Sequence, residues 1–86
     1  MTRFHFDVRD GPMFAPDEEG TELDGLDAVK HEATEAALEI GRDRLRRGDS
    51  RAVTIEVRDE HCRQVLTVTV SLEINRVDPQ SQQPGA

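Results

Sequence analysis

Residues 53–74 read VTIEVRDEHCRQVLTVTVSLEI, two alternating runs on either side of a polar turn. Val53, Ile55 and Val57 alternate with Thr54, Glu56 and Arg58. Leu66, Val68, Val70, Leu72 and Ile74 alternate with Thr67, Thr69, Ser71 and Glu73. A period of two, rich in β-branched residues, predicts strands with one buried face. With EHCR (Glu60–Arg63) as the loop, Asp59 faces Gln64. Counting back then sets Val57 opposite Leu66, Ile55 opposite Val68 and Val53 opposite Val70. A slip of one residue would send the two apolar sets to opposite faces of the sheet, so the register is well specified.

An apolar sheet face needs a cover, and the chain offers one helix upstream. Leu26, Val29, Ala33, Ala36, Ala37 and Ile40 recur at helical spacing, with Leu38 and Leu45 widening the stripe to one side. Asp24 is the expected N-cap, and Asp27 meets the positive end of the helix. Arg42, Arg44, Arg46 and Arg47 crowd the other end, and Gly48 suits the residue just past it. The helix is expected from about Gly25 to Arg47.

The N-terminus supplies a further hairpin. Phe4, Phe6 and Val8 alternate with His5, Asp7 and Arg9, and DGP (Asp10–Pro12) carries turn chemistry. MFA (Met13–Ala15) can return as a short strand before Pro16, and DEEG (Asp17–Gly20) reads as another turn. The predicted fold is α+β, a two-layer sandwich: an antiparallel sheet of three to four strands with one helix on one face, in the order β-β(short)-α-β-β. Phe6 and Ile55 are expected at the sheet centre, while His5, Asp7 and the threonines face water.

Val-Arg-Asp occurs twice, at residues 8–10 and 57–59. Each copy is read as a strand end: valine the last inward residue, arginine the next outward one, aspartate the start of a turn whose side chain accepts backbone N–H groups. That reading needs no functional Arg/Asp pair.

Composition bounds the rest. A chain of 86 residues is one small domain, and such a chain buries only about 60% of its unfolded surface. Aromatic residues are 3% and charged residues 34%, yet the apolar 35% is periodic, which is the mark of a globular chain. A net charge of −7 disfavours attraction to nucleic acid or anionic membranes. The single cysteine cannot form an internal disulfide, and no apolar run approaches the ~20 residues that span a bilayer. The charged N-terminus does not resemble a signal peptide. The expectation is a soluble, cytoplasmic domain over residues 1–76, then a disordered tail over 77–86.

No pattern carries chemistry. DEEG lacks the ligand spacing of a calcium loop, and His61-Cys62 lacks two further ligands at zinc spacing. Adjacent side chains in a tight turn do not form a nucleophile–base pair, and His5 and Asp7 lie about 7 Å apart along a strand. The sequence therefore assigns no catalytic residue, no cofactor and no metal ligand. Between residues 42 and 51, five arginines against two aspartates give a local +3. Those cations complement the helix dipole, Asp43 can pair with Arg47, and the domain-wide basic face of a nucleic-acid binder is missing.

The marks Arg9-Asp10-Gly11, Asp17-Glu18-Glu19-Gly20 and Asp59-Glu60, with the Ala/Glu-rich helix between them, resemble a family of short proteobacterial proteins known only as a domain of unknown function. The likeness covers about residues 2 to 74. It implies a small α+β fold and brings no activity. The chain departs from the family at Cys62, where the family usually places glycine. A weaker likeness, to HicB-type antitoxins, would imply an antitoxin-like or nucleic-acid-linked regulator.

The remaining class is an interaction module. One helix covers two to three strands, so apolar sheet surface stays open until a partner closes it. In the expected register Leu72 and Ile74 project beyond their hairpin partner. They are the candidate interface residues of a homodimer, in a small non-catalytic protein that binds protein, itself first.

Overall fold

A computed structural model describes residues 1–78 as five strands and one helix: β1 (Thr2–Asp10), β2 (Met13–Ala15), β3 (Thr21–Leu23), α1 (Leu26–Arg46), β4 (Ala52–Arg58) and β5 (Gln64–Ser71). Every strand pairing is antiparallel, in the spatial order β2-β1-β4-β5, with β3 also paired to β1. The fold is α+β, with α1 packed on one face of the sheet. Residues 77–78 are exposed and outside regular secondary structure; the rest of the expected tail lies outside the described residues.

The hairpin β4–β5 has the expected pairs Val53–Val70, Ile55–Val68 and Val57–Leu66. It departs at the turn: Arg58, not Asp59, lies opposite Gln64, because the ladder shifts between Val57 and Arg58. One extra residue, Val65, is thereby taken into β5, a bulge. It lets both Val65 and Leu66 pack against the core, where strict alternation would have exposed one of them.

The strand β3 was not expected, and it changes how the N-terminal hairpin is understood. Val8 pairs with Ala15 and Phe4 with Thr21, so β2 and β3 form one return strand along the same edge of β1. Between these pairs three residues of β1 (5–7) face five of the return (16–20). Pro16 has no N–H to give the ladder, and the chain leaves the edge there.

Val29, Ala33, Ala37 and Gly41 are the buried stripe of α1, set against Phe4, Ile55 and Val57. Small residues bring the helix close. A Cβ at Gly41 would stand 2.5 Å from Cγ2 of Val70, so glycine is needed for the helix to lie on β5. Leu26 (56% exposed) and Leu38 (53%) are not in the core, although both fall on the expected apolar stripe. Nor is Asp24 the N-cap: Gly25 holds that place at φ 121°, with no side-chain cap. The other end closes as expected. Gly48, at φ 78°, donates to the Leu45 carbonyl and Asp49 to that of Arg44, the paired bonds of a Schellman motif.

Two inward positions on β1 are only half buried, since α1 sits over β4 and β5. Phe4 is the buried aromatic, while Phe6 and Val8 pack at the margin. Phe6 does lie on an inner strand opposite Val57, as expected, but it is only half buried there. No helix among the described residues is long and apolar enough to cross a membrane.

Candidate functional site

Asp7 was expected to face water, but it is 4% exposed. It does lie on the outer face of the sheet, and the loop of residues 16–20 folds over it. Arg58 Nε, across the ladder on β4, donates to Asp7 Oδ2 at 2.9 Å, and the Asp17 N–H donates to Oδ1 at 2.8 Å. Arg58 Nη2 also reaches the Asp17 carbonyl at 3.1 Å, and His5 Nδ1 donates to that same oxygen at 2.8 Å. A carbonyl only accepts, so His5 carries a proton on Nδ1.

Asp17 in turn occupies the gap in the return strand. Its carboxylate accepts the N–H of Phe6 at 3.1 Å and that of Gly20 at 3.1 Å. Burial pushes this carboxyl up, but the N–H groups of Phe6, Gly20 and Glu19 together outweigh burial and hold it below its ordinary range. One aspartate thus stands in for a strand residue, and DEEG is the clasp of a hairpin.

The two Val-Arg-Asp copies end differently. Asp59 behaves as expected, accepting the N–H of His61 at 2.8 Å and of Arg63 at 3.0 Å, with Arg63 Nε on its other oxygen at 3.0 Å. The Arg63 N–H foremost, against burial, lowers its carboxyl. Asp10 accepts side chains instead: the Ser50 hydroxyl, and Arg44 Nη1 at 2.7 Å. Ser50 foremost, then Arg44, overcomes burial and holds that carboxyl low. The arginines also part. Arg9 pairs with Glu56 at 2.6 Å and stacks over Phe14, 4.6 Å from the ring centre. Arg58 serves Asp7.

Each of these groups is matched within the fold. Among the described residues no buried side-chain nitrogen or oxygen lacks a hydrogen-bond partner, and no three of His, Cys, Asp and Glu gather as metal ligands. Part of the arginine cluster is consumed in the same way, Arg44 by Asp10 and Arg47 by Asp43. His61 and Cys62 are exposed in the β4–β5 turn. Cys62 has φ 63° and is the one non-glycine residue with positive φ among those described.

What the fold leaves unmatched is an edge. Among the described residues β5 pairs with β4 on one side and with nothing on the other. Alongside it runs a groove lined by Leu38, Gly41, Arg42, Leu45, Val70 and Ser71. The strand stops at Ser71, short of the expected extension, and the Leu72 N–H closes on the Arg51 carbonyl at 3.0 Å. Leu72 (46% exposed) and Ile74 (79%) follow, and together with Leu45 and Ala52 they border a second cleft at the end of the helix.

A family model described as Domain of unknown function (DUF6894) matches residues 3–71. The chain belongs to that family. The match runs from within β1 to the last residue of β5, so the DUF6894 domain is the whole sheet with its helix. The three sequence marks noted above all fall inside it. Leu72 and Ile74 lie just past its end. No curated protein and no solved structure matches the chain, and the likeness to HicB-type antitoxins finds no support.

Of the residues that build these features in this DUF6894 protein, the sequence pointed to Leu72, Ile74 and the turn aspartates. It missed the Asp7–Arg58–Asp17 clasp and the exposed Leu38. A usable signal existed for the clasp. DEEG follows a proline directly after a strand, where a carboxylate can replace a lost ladder partner.

Proposed function

We propose that this DUF6894 protein is a cytoplasmic, non-catalytic protein-interaction module that associates first with itself, through the open edge of β5. The observation that carries this reading is that edge: an eight-residue strand with one side unpaired, bordered by exposed Leu38, Leu72 and Ile74. Unpaired strand edges bind other strands by backbone hydrogen bonds, and soluble proteins keep them covered. Two copies of one edge complement each other through a two-fold axis, the commonest symmetry of such assemblies. The exposed Cys62 thiol suits a reducing compartment.

Sedimentation tests the reading. The wild type is expected to run as a homodimer at tens of micromolar. The double variant Leu72→Glu/Ile74→Lys is expected to shift it toward monomer with its fold intact, since both side chains already face solvent. A monomeric wild type would remove self-association.

A further inference from the structure

We infer that the dimer has a second contact layer: α1 of each copy packs antiparallel against α1 of the other, across Leu38, with Glu35 and Arg42 paired in exchange. The inference rests on the edge reading above and extends it from the sheet to the helices. Its first support is dimensional. Strands in a sheet lie about 4.8 Å apart, so a two-fold axis perpendicular to the sheet at the open edge of β5 stands about 2.4 Å from that strand. The helix packs on β4 and β5 alike, which puts it about 5 Å from the axis. The two helices then lie about 10 Å apart, the spacing of helices in direct contact. An edge pairing through β5 therefore brings the helices together without any rearrangement.

The second support is what lies on that flank of α1. Leu38, Arg42 and Leu45 line the groove beside Val70, and Glu35 stands about two turns before Arg42, on the same side. Leu38 is 53% exposed, with no place in the chain's own core. It lies beside Val70, so an axis that crosses the edge near that end of β5 carries Leu38 to its own copy. The third support is charge. The first half of α1 is net acidic (Asp27, Glu32 and Glu35 against Lys30) and the second net basic (Arg42, Arg44 and Arg46 against Glu39 and Asp43). Reversing one helix beside the other sets acid half against basic half twice, and it opposes the two macrodipoles favourably. Gly41 completes the arrangement by letting the helix down onto β5, toward the shared edge.

Charge exchange tests it. Glu35→Arg leaves positive residues facing one another in the homodimer, and Arg42→Glu leaves negative ones. Each variant is expected to weaken dimerisation at low salt by about tenfold. An equimolar mixture of the two variants restores opposite charges at both contacts, and it is expected to form a heterodimer close to wild-type affinity. Both sites are exposed, and circular dichroism with the mixture itself controls for folding. If the wild type dimerises but neither variant weakens it, or the mixture fails to recover, the helix layer is wrong while the β5 edge stands. If the wild type is a monomer, both fall.

Discussion

Cys62 carries a backbone conformation that side chains resist. At φ 63° its Cβ crowds the following carbonyl, which costs about 1–2 kcal/mol, and glycine escapes that cost. The turn needs this geometry because Asp59 gathers the N–H groups of both His61 and Arg63, winding the chain tightly around one carboxylate. Cys62→Gly is therefore expected to stabilise the domain by about 1 kcal/mol, part of the gain being lost to the freer unfolded chain. That is roughly a 4–8 °C rise in Tm for a domain of this size. Thermal melts under reducing conditions check it, and a lower Tm for the variant would mean that the thiol itself stabilises the turn.

Among the elements, β1 shows how a neighbour's position grades residues that look equal in sequence. Phe4, Phe6 and Val8 share one face, but α1 lies over β4 and β5, and of the three only Phe4 is buried. Phe4→Ala is expected to cost about 3–5 kcal/mol and Phe6→Ala distinctly less. Urea denaturation of the two variants measures the gap, and equal losses would contradict this placing of the helix. The same comparison marks the limits of legibility. The hairpin β4–β5 and the body of α1 could be read because periodicity and burial agree there over many residues. The bulge at Val65 was hidden because a two-residue period has no way to express one inserted residue. The strand β3 was hidden because three residues cannot establish a period, and the clasp because it joins Asp7, Asp17 and Arg58 from three separate segments. As for the candidate interface, the apolar run through Leu72 and Ile74 was visible. That Leu38 is left outside the core depends on where α1 sits, which no local pattern records.

Taken whole, the molecule is tied together by carboxylates, and this fixes its response to acid. Asp10 binds the end of β1 to α1 and the following loop, Asp17 binds the return strand to β1, and Asp59 holds the β4–β5 turn. All three are lowered from the ordinary value of 3.8 in the fold. A carboxyl lowered by folding contributes its full stabilisation above the unfolded pKa, and the contribution is lost as pH falls through the folded one. Stability is thus expected to be level with respect to these groups above about pH 5 and to fall steeply below about pH 4. Denaturation midpoints measured from pH 7 down to pH 2 check this, and a loss centred near pH 6 would point to histidine instead.

The interrupted return strand has a consequence for how many molecules can join. On that side the sheet ends in two three-residue strands, parted by Pro16 and a loop whose backbone is already engaged with Asp17 and Arg58. Short edges broken by proline resist an added strand. In the language of polymer chemistry, a protein that self-associates through β5 as proposed would be a monofunctional unit: one reactive end and one end-group. Bifunctional units grow into chains, whereas monofunctional ones couple once and stop. For copies that join through β5 as proposed, the loop that fastens Asp17 to β1 would also set the stoichiometry, ending growth at the pair rather than at the fibre.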